Sequence, residues 1–440
     1  MKIVTTCDIL YAVIKMSDIL FTNCNIMDGS LRWVTKLCVG VSSGKIDYVG
    51  EYRKGSFREY DCCGGILMPA FCNAHAHSAM TLLRGIGEDM PLSDWLNGKI
   101  FPAEAKLTPE DCYTATLLAC AEMMKYGTAS CSDMYFFGID AGRAYSDAGF
   151  KANFAPAILC FDDRSFEELP VYNDYEALVE YSQGSRLLKT DLGIHSTYCT
   201  TPKVIEGAVR YANDRKLGRH IHVSETAKEH AECIDEFGMT PTAYLEKHGV
   251  FDERTVLAHC VWISDDDREI LRKHRVTVAS CPESNLKLGS GFAPVRKLMD
   301  AGINLALGTD GAASNNNLDM FEEMHLADIM PCGYRHDPTE VSSAEVLDMA
   351  TVNGARLQGR SDTGVLAVGK KADIIALDLD KPHLYPNFDT PALLTCAAHS
   401  SDVVLTMVDG KILYENGEYK TLDREKVFYE ARAAVKRLYA

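Results

Sequence analysis

The chain contains no apolar run long enough to cross a bilayer, no cluster of lysine and arginine, and no pair of cysteines at CxxC spacing. Each absence removes a class of function. A membrane-spanning helix needs about 20 consecutive apolar residues, so no membrane role is expected. A net charge of −17 without a basic patch disfavours contact with phosphate backbones, and nucleic acid is not an expected partner. The 16 cysteines are scattered from Cys7 to Cys396 and read as buried thiols of a large cytoplasmic protein. The first ten residues hold Asp8 within a weak apolar stretch and lead to no small-residue cleavage pattern. That argues against a secretory signal and for a cytoplasmic location. Internal repeats and low-complexity linkers are also missing.

What is present is the ordinary composition of a globular chain, 47% apolar and 24% charged over 440 residues. That length suits one large domain with a smaller partner. From about residue 66 to about 310, short apolar or β-branched runs alternate with helical segments, the order that gives parallel strands joined by crossover helices. The strand-like runs are 66–77, 128–133, 152–158, 192–195, 220–223, 256–259, 276–281 and 303–310. Helices are expected at 109–126, with Thr108 as cap and Pro109 at the first position, and at 202–215 with Thr201 as cap. Eight such units predict an α/β fold, a (β/α)8 TIM barrel. Both flanks instead carry short alternating strands and glycine turns, at 19–25, 36–41, 45–49, 372–379, 403–408 and 411–414. One small β-sandwich domain formed from the N- and C-terminal segments, 1–67 and 362–440, around a barrel at 68–361, accounts for the pattern. Residues before Met16 carry no assigned role.

In such a barrel, residues at the carboxyl ends of the strands gather at one mouth. Strand one ends in His75-Ala-His77, and a period of two turns both imidazoles the same way. His195 ends strand four, His222 strand five, His259 strand six and Asp310 strand eight. His75, His77, His222 and Asp310 form a ligand set for one divalent metal ion, zinc, with iron the alternative, leaving one position for water. A metal lowers the pKa of its water and makes hydroxide available near neutral pH. Asp310 then takes the water proton, Glu225 in His222-Val-Ser-Glu225 protonates the substrate, and His259 orients the nucleophile or stabilises negative charge. Alone, Glu225 would read as a solvated loop residue and His259 as a hydrogen-bonded core histidine. Their positions beside the ligand set favour the catalytic assignments.

The residues 69–85, running Pro-Ala-Phe-Cys-Asn-Ala-His-Ala-His-Ser-Ala-Met-Thr-Leu-Leu-Arg-Gly, resemble the amidohydrolase superfamily. So do His222-Val-Ser-Glu225-Thr, Ala258-His259-Cys-Val, Ser284-Asn-Leu-Lys-Leu-Gly289, Leu307-Gly-Thr-Asp310-Gly and Gly369-Lys-Lys-Ala-Asp373. Within the superfamily the chain is similar to the 5-methylthioadenosine/S-adenosylhomocysteine deaminases and their chlorohydrolase relatives. The resemblance implies hydrolytic deamination of an aminopurine nucleoside, with Glu225 protonating a ring nitrogen and ammonia leaving. It also implies substrate contacts from Trp95, His195 and Glu225. Binuclear members carry a carboxylated lysine at the end of strand four, where this chain has Gly193-Ile-His195, so one metal is expected. Two departures concern the substrate. Ser93 stands where the family's acidic residue for the ribose diol is expected, with Asp94 beside it. A family arginine falls within 154–157, which offers no cation, and Arg164 is the nearest substitute.

Two rival readings keep the residues and change the function. One is an aminohydrolase or chlorohydrolase of another heterocycle, such as guanine, a pterin or a triazine. The other is a metal- or nucleoside-binding protein without catalysis. The expected partner is in every case a small molecule, and homo-oligomerisation is left open.

Overall fold

A computed structural model of the chain describes residues 19–27 and 33–439. The segment before Met16 lies outside them. Eight parallel strand positions build the larger unit: Phe71–His77, Thr128–Tyr135, Lys151–Ile158, Leu188–Ile194, Gly218–Val223, Thr255–His259, Thr277–Ser280 and, in two pieces, Asn304–Leu307 and Asp310–Gly311. Asn304–Leu307 pairs with strand seven and Asp310–Gly311 with strand one, so the eighth position closes the ring. The predicted helices form between the strands. Thr108 and Asp111 exchange side-chain-to-backbone bonds at the start of Pro109–Lys125, and Thr201 Oγ1 accepts from the Val204 amide ahead of Pro202–Arg215.

Several strands differ from their expected limits by a few residues, and three of the differences have a physical reason. The apolar run 66–77 is two strands. Ile66–Pro69 pairs with Ile19–Met27 and Ile374–Leu377 in the second sheet, and Phe71–His77 joins the ring. The change of sheet falls at Ala70, whose amide bonds the Asp373 carbonyl. Strand four begins at Leu188, earlier than expected, because its polar residues have partners at the barrel floor. Asp191 accepts from Asn153 (2.8 Å), and Lys189 Nζ reaches the Gln358 and Gly359 carbonyls at 3.0 and 2.8 Å. The eighth strand breaks at Gly308, where a Cβ would stand 2.7 Å from the His75 amide nitrogen, too close for any side chain.

The two flanks meet as expected in one small β domain of nine strands in a single mixed sheet, eight of them edge to edge and the ninth, Arg58–Asp61, paired to Ile19–Met27 alone. Ile46 and Ile412, from strands far apart in that order, share one apolar cluster with Phe21, Leu67 and Leu405. The sheet therefore folds back on itself as a sandwich does. Cysteines among the described residues are free thiols, most of them buried. No helix among the described residues is long and apolar enough to cross a membrane.

Lys151, only 1% exposed at the foot of strand three, ties the two units together. Its Nζ bonds both carboxylate oxygens of Asp373, at 2.8 and 2.6 Å, and Asp409 Oδ1 at 2.6 Å. Removing one member of such a group leaves the others charged and buried without a partner. Lys151→Ala is therefore expected to lower unfolding free energy by about 3–5 kcal/mol, measured by chemical denaturation.

Candidate metal centre

Four donors converge at the carboxyl ends of the ring strands. His77 Nε2 lies 3.1 Å from His222 Nε2, and Asp310 Oδ1 lies 3.1 Å from His75 Nε2 and 3.2 Å from His77 Nε2. Four ligands at about 2.0–2.1 Å around a tetrahedral ion stand roughly 3.3 Å apart, and these three separations match that spacing. His75 Nε2 is buried and makes no hydrogen bond. Imidazole lone pairs facing one another and a carboxylate at this distance repel unless a cation lies between them. The residues fit a divalent ion. His259 comes closer to the centre than its expected orienting role requires: it can offer a ligand atom within 4.8 Å of those of His75, His222 and Asp310.

The surrounding bonds fix which ring nitrogen faces the centre. His77 Nδ1–H donates to the Met134 carbonyl (2.6 Å) and His222 Nδ1–H to the His195 carbonyl (2.7 Å). His259 Nδ1–H donates to Asn285 Oδ1 at 2.9 Å, and His75 Nδ1 lies 2.8 Å from His220 Nε2. With its Nδ1 protonated, each of these rings turns a free Nε2 inward. Asp310 Oδ2 accepts from Ser284 Oγ (2.6 Å) and Ser314 Oγ (2.9 Å), which leaves Oδ1 for the centre. The backbone bends to achieve this. His259 and Asp310 have φ of 73° and 59°, a region costly for residues with a side chain and common at functional sites.

Glu225 is buried 3.9 Å from His259 Nε2, and Ser290 Oγ lies 3.4 Å from its Oε1. Burial pushes its carboxyl above the usual range, against the pull of His259. Glu229 holds the turn in place by accepting the Ser224 amide at 3.1 Å and the Glu225 amide at 2.7 Å. Burial and the Glu225 charge raise Glu229 to about 7. Burial lowers His195 to about 3, so its ring is neutral.

A narrow cavity leads down to this cluster, walled by Trp95, Tyr135, His195, Glu225 and Glu104 among others. Trp95 is buried and its Nε1–H donates to the Ile86 carbonyl (3.1 Å), so the ring is held fixed. Two expected contacts fall elsewhere. Ser93 does not line the cavity, and its carbonyl caps the Asn97 side chain at 2.8 Å, while Asp94 is exposed. Arg164 is also outside the cavity, because Asp162 two residues earlier takes its guanidinium, Nε lying 3.0 Å from both carboxylate oxygens. Besides Glu225 and Asp310, the acid that faces the cavity is Glu104, at the end of the short helix Phe101–Glu104. Burial raises its carboxyl to about 7. The buried Tyr135 hydroxyl beside it interacts with that carboxyl and works against the rise. Neither was legible beforehand. Glu104 stands in Phe-Pro-Ala-Glu104-Ala-Lys, with no motif around it, and Tyr135 ends a buried strand, Thr128–Tyr135, that mixes polar and apolar residues. Asn285 was signalled by the segment 284–289 but had no assigned role.

The Amidohydrolase family matches residues 66–413. A 5-methylthioadenosine/S-adenosylhomocysteine deaminase of Acetivibrio thermocellus is 41% identical over 433 residues, covering 97% of this chain and 99% of that protein. A 5'-deoxyadenosine deaminase of Methanosarcina acetivorans is 39% identical over 439 residues, with coverage of 97% and 99%. Among solved structures, an adenosine deaminase from Xanthomonas campestris with bound zinc superposes with a TM-score of 0.91 at 32% identity, covering 96% of this chain and 98% of that one. An atrazine chlorohydrolase from Arthrobacter aurescens shares the fold, with a TM-score of 0.87 at 24% identity and coverage of 95% and 100%.

Purified protein is expected to carry one divalent ion per chain by elemental mass spectrometry, and His222→Ala to lose it. Two ions per chain would contradict the single cluster.

Proposed function

Because the chain belongs to the amidohydrolase family, we propose that it is a metal-dependent hydrolase that deaminates an adenosine-type nucleoside. Water replaces the amino group on the ring carbon and ammonia leaves. The observation that supports this most is the position of Glu225, a buried carboxyl held above its usual range in the same narrow cavity as the converging imidazoles. A zinc ion held by His75, His77, His222 and Asp310 supplies activation of water for attack on that carbon.

The chain's own groups account for the proton movements. Asp310 is the acceptor for the proton that water loses, since Ser284 and Ser314 occupy its outer oxygen and leave Oδ1 facing the centre. Glu225 donates its proton to the neighbouring ring nitrogen and so lets the ring accept electrons from the attacking oxygen. His259, fixed by Asn285, presents Nε2 to the same space and stabilises the charge that develops there. Trp95 offers an apolar wall to the base, and neutral His195 a polar edge. Glu104, rather than Ser93, is the acid for the ribose diol, because it alone of the two lines the cavity. On this reading the barrel at 68–361 carries the site, the segments 1–67 and 362–440 form the small domain, and the enzyme acts in the cytoplasm.

Ammonia release should be followed on metal-loaded protein with adenosine, 5'-deoxyadenosine and 5-methylthioadenosine, alongside guanine, a pterin and a triazine. Turnover confined to the other heterocycles overturns the nucleoside assignment. Glu225→Gln is expected to keep its metal and lose at least about a hundredfold in kcat, read by steady-state kinetics.

A further inference from the structure

A second cavity opens beside the first. It is a cleft of about 710 Å³, and Phe101, Glu104, Phe136 and Ala157 line both spaces. A nucleoside is ordered as base, ribose and 5' substituent. With the base at the metal centre and the ribose diol at Glu104, the 5' carbon is directed to the cleft. The step that follows rests on the nucleoside reading above.

The walls of the cleft specify what it can take. Leu107, Phe136, Phe137, Leu159, Leu169 and Val171 give it a mostly apolar lining. Its charged members are already engaged. Asp174 accepts the amides of Gly138 and Ile139, at 2.7 and 3.3 Å, at the start of the helix Gly138–Ala148. Asp140 pairs with Arg143 at 3.5 Å. The only cation in the lining is Arg164, and Asp162 holds it through Nε and Nη2, the latter at 2.9 Å. Strand three contributes Ala157 at the junction of the two cavities, with no charge of its own. An amino-acid tail entering this space would give up the hydration of both its charges: its carboxylate would meet acids and an arginine already paired, and its ammonium would find Asp174 and Asp140 already engaged. An alkyl group would give up only unfavourable contact with water.

We propose that this cleft is the 5'-substituent subsite and that it selects uncharged apolar substituents, from methylthio to larger alkylthio groups, against the charged amino-acid tail of S-adenosylhomocysteine. The cleft is much larger than a methylthio group needs, so lengthening the alkyl chain should be tolerated. Selectivity arises from the pairing of Arg164 with Asp162 together with the uncharged end of strand three.

The test is kcat/KM on metal-loaded enzyme for 5'-deoxyadenosine, 5-methylthioadenosine, 5'-butylthioadenosine and S-adenosylhomocysteine. The first three are expected within about tenfold of one another, and S-adenosylhomocysteine at least about a hundredfold below 5-methylthioadenosine, the size of effect that an unpaired charge produces. Turnover of S-adenosylhomocysteine within tenfold of 5-methylthioadenosine overturns the proposal and leaves the deaminase assignment standing. Absence of turnover for all four overturns both. Asp162→Asn releases Arg164 without touching the cavity, and should raise the ratio of S-adenosylhomocysteine to 5-methylthioadenosine by about tenfold. An unchanged ratio overturns the part assigned to that ion pair.

Discussion

The passage of the eighth strand against the first governs the centre. Gly308 lies so close to His75 that no side chain fits between the two backbones, and the chain then turns at Asp310 into a left-handed conformation. These two features place a carboxylate from late in the barrel beside imidazoles from its beginning. Ring closure and ligand assembly are therefore one event. A barrel that failed to close would leave His75 and His77 on an open edge, with their lone pairs solvated and no reason to gather. The hydrogen bonds to Met134, His195, Asn285 and the two serines choose the nitrogen or oxygen each residue presents.

Burial has opposite uses within a few ångströms. It pulls His75 down to about 4 and His222 well below its usual range, and it pushes the Glu225 carboxyl up; only His77 goes the other way, held up at about 9 by the Asp310 carboxylate against the same burial. The same low-polarity surroundings thus disfavour a positive imidazole and a negative carboxylate alike. Glu229 contributes through its acceptors, fastening the amides of Ser224 and Glu225 so that the loop after strand five does not swing into solvent.

Much of this was legible in the sequence because strand-end residues obey topology. Once eight runs are read as parallel strands, His75, His77, His222, His259 and Asp310 have nowhere to go but one mouth. The flanking strands were readable for the same reason, since alternation and glycine turns mark antiparallel pairs. What escaped was set by contacts between loops. Ser93 and Glu104 lie in the same connection between strands one and two, and only the path of that connection decides which reaches the cavity. Arg164 looked like a free cation, but a neighbour two residues away claims it. The early start of strand four was hidden by Lys189 and Asp191, whose charges resemble a loop until their partners at the barrel floor are known.

The strand run 66–77 serves two sheets in succession, Ile66–Pro69 in the small domain and Phe71–His77 in the ring. Its first part is locked in register on both sides, against Ile19–Met27 and against Ile374–Leu377. Side chains on a strand change face with every residue, so a slip of one position there would carry forward through Ala70 and point both imidazoles away from the ring interior. The small domain thus works as a gauge block for the metal site. By gripping the strand well outside the barrel, it sets the depth and the facing of the two histidines before any ion arrives.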